Sequence, residues 1–230
     1  MEWSEFAERM ARLARHLLAQ ESTQDTLDEI AAAAVKLIDG CDAAGILALS
    51  RGRTITLSAC GDVVGESDRL QGELCEGPCF DAARRTNGER LFRIADTSQP
   101  QRDWPRFAPA ARELGIGSMM GFLLYTRRED FGALNLYSHS AGAFTAESET
   151  AGWLLASHAA VALAGARTVD QLEHALETRH AIGEAMGILR ERHGLGEEDA
   201  FDVLRRISQH HNVKLRDVAR TILSGTPGKG

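Results

Sequence analysis

The sequence predicts an α+β protein: an antiparallel sheet with flanking helices, joined by a helical stalk to a C-terminal three-helix bundle. Three observations carry this expectation. Segments of strand character (43–50, 54–60, 118–125 and 131–137) are grouped between helical segments instead of alternating with them one for one. From Thr145 to Arg192 there is no proline, and only Gly152 and Gly165 interrupt the helical pattern before Gly183. After that, apolar residues recur at helical spacing in three short segments.

In chain order, Trp3 to Gln20 reads as a helix. Its stripe of Phe6, Met10, Leu13 and Leu17 steps by four, three and four, a narrow seam suited to pairing with another helix. A second, Ala-rich helix runs from about Gln24 to Ile38 and is stopped by Asp39-Gly40. Strands Ala43–Ser50 and Thr54–Cys60 follow, joined by a tight turn at Arg51-Gly52-Arg53. A polar loop leads to Gly72-Glu73-Leu74-Cys75-Glu76-Gly77, and Pro78 after it suits a first helical position, so a short helix is expected to about Arg85. Asn87-Gly88 marks a turn before a short strand from Arg90 to Ile94. Trp104-Pro105 opens another helix that ends at Leu114-Gly115, and strands Ser118–Tyr125 and Phe131–Tyr137 come next. The long helix starts near Thr145, with Glu147 and Glu149 in its first turn, where the helix dipole favours acids.

In the C-terminal bundle, Ile182, Met186 and Leu189 share one face, as do Phe201, Leu204 and Ser208, and Leu215, Val218, Ala219 and Ile222. Gly183 and Gly187 sit in mid-helix, where each costs roughly 1 kcal/mol relative to Ala. Two glycines one turn apart admit two readings: tight helix–helix packing, or a surface left open for a ligand or nucleic acid.

Two families resemble these patterns. Arg179-x-x-Ile182-Gly183-x-Ala185-x-Gly187-Ile188-Leu189, then Ala200-Phe201-x-x-Leu204-Arg205, then Ser208-x-x-x-Asn212-x-Lys214-Leu215-Arg216-x-Val218-Ala219 resembles the ANTAR domain over about Val169 to Leu223. Arg190 departs from that pattern, where Met is expected. The resemblance implies a bacterial three-helix RNA-binding module acting in transcription antitermination, with RNA hairpin loops as targets. Gly77-Pro78-Cys79, Ile94-Ala95-Asp96, Trp104-Pro105-x-Phe107, Gly132-Ala133-Leu134-Asn135-Leu136-Tyr137 and Phe144-Thr145-x-Glu147 look like a GAF domain over about Thr26 to Ala164. That likeness implies a five- or six-stranded sensor with a pocket on one sheet face. The organisation expected is an N-terminal helix (1–22), a GAF-like sensor (23–165), an ANTAR-like domain (166–225) and a disordered tail (226–230).

Composition bounds the function. A net charge of −7 and a pI near 5.6 argue against a generally sticky nucleic-acid binder, so basic charge has to be local. No apolar run reaches membrane-spanning length, and the acidic start Met1-Glu2-Trp3-Ser4-Glu5 lacks a signal-peptide pattern, so a cytoplasmic protein is expected. Cys41, Cys60, Cys75 and Cys79 are expected to be free thiols, and no zinc-finger spacing occurs. There is no GxSxG, HExxH, Walker loop or phosphatase pattern and no receiver-type Asp cluster, so no enzyme activity, metal or cofactor is expected. The cyclic-nucleotide signature of GAF domains is not recognisable, and the small-molecule signal, if one exists, is unidentified.

With the family resemblance, Arg179, Arg205, Lys214 and Arg216 are assigned to phosphates or base edges, Gly183 and Gly187 to close approach of an unpaired base, and Ser208 and Asn212 to hydrogen bonds. Without it, exposed Lys and Arg are solvated surface, and Asn212 equally suits a left-handed helix cap. His210 and His211 are adjacent, so they are expected to point apart and make a poor metal pair. Cys79, Trp104, Met119 and Asn135 are the candidate sensor-pocket residues. Cys79 has two readings: a lowered pKa at a helix N-terminus, or a buried small apolar residue. Ala162, Gly165, Val169, Leu172 and Leu176 form a heptad-like seam, and together with the N-terminal stripe they lead to the expectation of a homodimer. The alternative function is a DNA-binding regulator, because Leu204 to Ile222 has a helix-turn-helix layout.

Overall fold

The computed structural model describes residues 3–50, 53–84, 91–127 and 129–225. The turn at Arg51-Gly52, the Asn87-Gly88 turn and the tail 226–230 lie outside them. The described chain divides into two compact units, 1–167 and 168–230.

The first unit is built on a five-stranded sheet in the order β2-β1-β5-β4-β3, with every neighbouring pair antiparallel. Its strands are β1 (Ala43–Ser50), β2 (Arg53–Cys60), β3 (Leu91–Ile94), β4 (Ser118–Tyr125) and β5 (Asp130–Ser138). β4 and β5 are buried on both faces along almost their whole length, which is why they read as near-continuous apolar runs without clean alternation. On one face lie α1 (Trp3–Leu18), α2 (Thr23–Leu37) and the start of α6 (Ala146–His193). On the other lie α3 (Val63–Leu74), α4 (Pro78–Arg84) and α5 (Phe107–Glu113).

Both helix layers bury apolar side chains against the sheet. Phe6, Met10, Leu13 and Leu17 join Ile30, Phe122, Leu134 and Leu155 in one core. The N-terminal stripe, read as a seam without an internal partner, is therefore buried within its own unit. It packs on α2 and joins a core that extends to the sheet and α6, which periodicity alone does not reveal. On the other face, Val64, Phe107, Met119, Ile94 and Tyr137 form the second core.

The polar loop expected before Gly72 is instead the helix α3. Its buried face is polar, made of Ser67, Asp68 and Gln71 beside Val64, so no apolar period announces it. Glycines at 65 and 72 obscure it further.

Local chemistry fixes the helix starts. Ser22 Oγ accepts the Asp25 N–H at 3.0 Å and caps α2. At α6 the caps are reciprocal: Thr145 Oγ1 accepts the Ser148 N–H at 3.2 Å, and Ser148 Oγ accepts the Thr145 N–H at 3.1 Å. The Ser148 hydroxyl also donates to the Asp39 carbonyl at 3.1 Å, tying this start to the end of α2. α6 then runs for 48 residues as one helix.

The second unit contains the later part of α6 with α7 (Glu197–His211) and α8 (Leu215–Leu223). Ala185, Leu189, Ala200, Leu204, Val218 and Ala219 are buried at its centre, with Ile182, Met186, Ile207, Leu215 and Ile222 packed around them.

Candidate functional site

The second unit turns Ala185 and Leu189 of α6 inward and leaves Gly183 and Gly187 exposed. A Cβ built on either glycine would meet nothing within 4 Å among the described residues. Among the described residues no neighbouring helix approaches them, so they do not serve helix packing within this chain. Arg179, Gly183 and Gly187 follow one another at steps of four, so they share one outward face, and Arg179 is itself exposed.

On α7, Arg205, Ser208 and Asn212 form a second stripe at steps of three and four. Arg205 is exposed and paired with Asp202 at 2.8 Å. Ser208 Oγ donates to the Val213 carbonyl at 2.6 Å, so its hydrogen is already used in closing the α7–α8 turn, while its lone pairs can still accept. Asn212 has φ +51° and is the left-handed C-cap of α7, as the capping reading expected. Lys214 is exposed at the N-cap of α8. Arg216 is only partly exposed: one guanidinium nitrogen meets the His174 ring of α6, and Nε lies 3.6 Å from Asp217.

Two expectations fail on α7. Phe201, placed on the core face with Leu204, is 38% exposed and stands outside the bundle core. Buried Ala200 takes the inward position, one residue and thus ~100° of helix rotation away. His210 and His211 do not point apart: their rings meet edge to face with centroids 4.9 Å apart. No group of three or more His, Cys, Asp or Glu side chains that could hold a metal ion occurs among the described residues.

In the first unit, Cys79, Trp104, Met119 and Asn135 are all buried. Trp104 Nε1 donates to Asp81 Oδ2 at 2.8 Å, and Gln71 Oε1 accepts the Cys79 and Phe80 backbone N–H groups at 2.9 and 3.3 Å. The Cys79 thiol is pushed well above its ordinary pKa, first by burial and then by the negative charge of Asp68. This overturns the activated-thiolate reading, since desolvation outweighs any help from the helix start.

Beside Cys79 lies a polar cluster that sequence reasoning missed. Asp68 of α3 accepts hydrogen bonds from Thr56 Oγ1 (2.8 Å), Tyr137 Oη (3.2 Å) and Asn135 Nδ2 (3.4 Å). Burial raises its carboxyl pKa to about 6, with those three hydrogen bonds working against the rise. Gln71 Nε2 and Asn135 Oδ1, both buried, have no hydrogen-bond partner among the described residues. An open cleft of about 390 Å³ between β2 and α3 is lined by Thr54, Thr56, Asp68 and Gly72, with Arg53 and Glu73 among its other walls. Only the recognition of α3 as a helix would have drawn attention to Asp68, which in sequence is one more acid in a charged stretch.

Known proteins fit both units. Residues 20–164 match the GAF domain family and residues 170–223 match the ANTAR domain family. No curated protein matches the chain. Among solved structures, a bacteriophytochrome from the photosynthetic bacterium R. palustris superposes with a TM-score of 0.61 at 11% identity. That match covers 87% of this chain, which spans about half (46%) of the bacteriophytochrome. The GAF domain of a phosphoenolpyruvate-protein phosphotransferase from Coxiella burnetii gives a TM-score of 0.58 at 16% identity, covering 74% of this chain and 99% of that one. The photosensory core module of Stigmatella aurantiaca phytochrome gives 0.56 at 15% identity, covering 81% of this chain and 42% of that one. At such identities the likeness concerns the fold alone. With five antiparallel strands, helices on both faces and a family match over 20–164, the chain belongs to the GAF domain family and carries an ANTAR domain at 170–223.

Proposed function

We propose that this protein is a signal-responsive transcription antiterminator, in which the GAF domain senses and the C-terminal bundle recognises RNA hairpin loops. The observation that carries the reading is the bare face at Gly183 and Gly187, with Arg179 one turn before them. Two missing side chains let a flat base come against helix backbone, and exposed cations supply phosphate contacts. Arg179, Arg205 and Lys214 are the exposed cations of this surface, and Arg216 supports it through His174. Asn212 and the lone pairs of Ser208 face the same task at the α7 end.

The active form is a homodimer. Val169, Leu172 and Leu176 step by three and four along α6 and are 49, 61 and 66% exposed. Apolar side chains on such a stripe favour a second copy over water. Ala162, read from sequence as part of the seam, is buried in the first unit, so the stripe begins later than expected. The signal is a small molecule, and it acts through a difference in its affinity for two arrangements of the chain.

The test is hairpin binding by the double variant Arg179→Ala, Lys214→Ala, chosen because neither residue touches the core. RNA affinity should fall, and the slope of log affinity against log salt should flatten by roughly 0.7 for each single-stranded phosphate that the two substitutions leave unneutralised. Light scattering should give twice the 25.0 kDa chain mass. Binding that duplex DNA competes away better than hairpin RNA would favour the helix-turn-helix reading instead.

A further inference from the structure

We infer that Phe201 is the stacking platform for an unpaired base of the bound RNA. This rests on the RNA-binding reading and extends it to a residue that a packing pattern would assign to the core. Four observations meet at this ring.

First, Phe201 stands outside the buried core of the bundle. It is 38% exposed, and the side chains packed at the centre of the second unit do not include it. Second, it is the sole Phe, Tyr or Trp between Thr168 and Gly230. A large ring left more than a third exposed forgoes burial that a neighbouring core position, Ala200, achieves. Third, Phe201, Arg205, Ser208 and Asn212 follow at steps of four, three and four, so the ring shares its stripe with the α7 side chains assigned to RNA. An aromatic face beside a cation is the arrangement that holds unstacked bases: the ring takes the base face and the cation takes the adjoining phosphate.

The fourth observation is the charge gradient along α7. Glu197, Glu198 and Asp199 occupy its first turn, and Arg205 and Arg206 lie further on, with one later acid, Asp202, paired to Arg205. Phe201 stands at the boundary. Phosphates are repelled from the acidic turn, whereas an uncharged base face is not. The strand is therefore oriented with a base over Phe201 and its backbone running toward Arg205 and Lys214.

The test uses the full-length chain and the hairpin that it selects from an RNA library randomised in the loop. Phe201→Ala should weaken binding about 5- to 100-fold, the range expected for loss of one stacked base. The salt slope should stay at the wild-type value, because every phosphate keeps its cation. Phe201→Trp should retain affinity, and 2-aminopurine placed in the loop should be quenched by wild type but not by Phe201→Ala. Thermal unfolding and oligomeric mass should be unchanged in both variants. If Phe201→Ala binds like wild type while Arg179→Ala, Lys214→Ala does not, stacking is refuted and the RNA reading stands. Loss of binding that accompanies a halved mass would also overturn it, making the ring a contact between copies. If the library yields no hairpin, the RNA reading fails and this inference with it.

Discussion

The Cβ that Gly152 lacks would lie 2.3 Å from Cζ of Phe122. This is where α6 crosses β4 closely enough for its backbone to rest on the ring, and Trp153 holds the same ring edge-on at 5.5 Å. Gly152→Ala therefore sets two effects against each other. Helix propensity gains about 1 kcal/mol, whereas overpacking costs about 1–3 kcal/mol. Because Phe122 is fully buried and flanked by Trp153, it has little room to move, and the net outcome is a loss. Urea unfolding should show Gly152→Ala less stable than wild type. The control Gly165→Ala meets only open space and should be neutral or stabilising.

Asp68 makes stability depend on pH in an unusual direction. Its carboxyl titrates at about 6 when folded, against 3.8 as the ordinary value, so the folded chain holds the proton more tightly. Between these limits folding takes up protons, and stability falls as pH rises from about 4 to about 6, then levels off. The full span corresponds to about 3 kcal/mol. Urea midpoints measured across this range should slope more steeply downward in wild type than in Asp68→Asn. Parallel profiles would remove Asp68 from the account.

Asn212 carries two assignments that one pair of variants separates. As a left-handed cap it tolerates φ +51°, which an alanine adopts at a cost of about 1–2 kcal/mol and a glycine adopts freely. Asn212→Ala should lower the unfolding temperature and Asn212→Gly should not. If its amide also meets a base edge, Asn212→Gly should still lose RNA affinity. Full affinity in that variant would leave Asn212 with the cap alone.

Strands and bundle helices were legible because their apolar residues are dense and their breaks are marked. β4 and β5 are apolar almost throughout, and Pro78 and Asn212 signal a helix start and a helix end. Three features were not legible, each for its own physical reason. α3 hides its buried face in Ser67, Asp68 and Gln71, side chains whose burial depends on partners from other elements. Phe6, Met10, Leu13 and Leu17 announce a stripe, but a stripe does not name what covers it. Phe201 lies one residue from the inward position, and apolar character alone could not tell a core ring from one facing water. At the candidate site, the glycine face and its cations were visible as a family pattern. The ties of Ser208 to Val213 and of Arg216 to His174 needed three dimensions.

The middle of α6 has a consequence of its own. From Gln171 to Glu177 every side chain is exposed, and the Arg216 contact to His174 ties that stretch to α8. Helices without a packed face are held together mainly by local bonds and are marginal in water. Amide protons there should exchange with solvent sooner than those at Ala159 or Ala185, whose neighbourhoods are tightly packed. Covering Leu172 and Leu176 with a second copy would slow that exchange, so the firmness of this span becomes a readout of whether two chains have met.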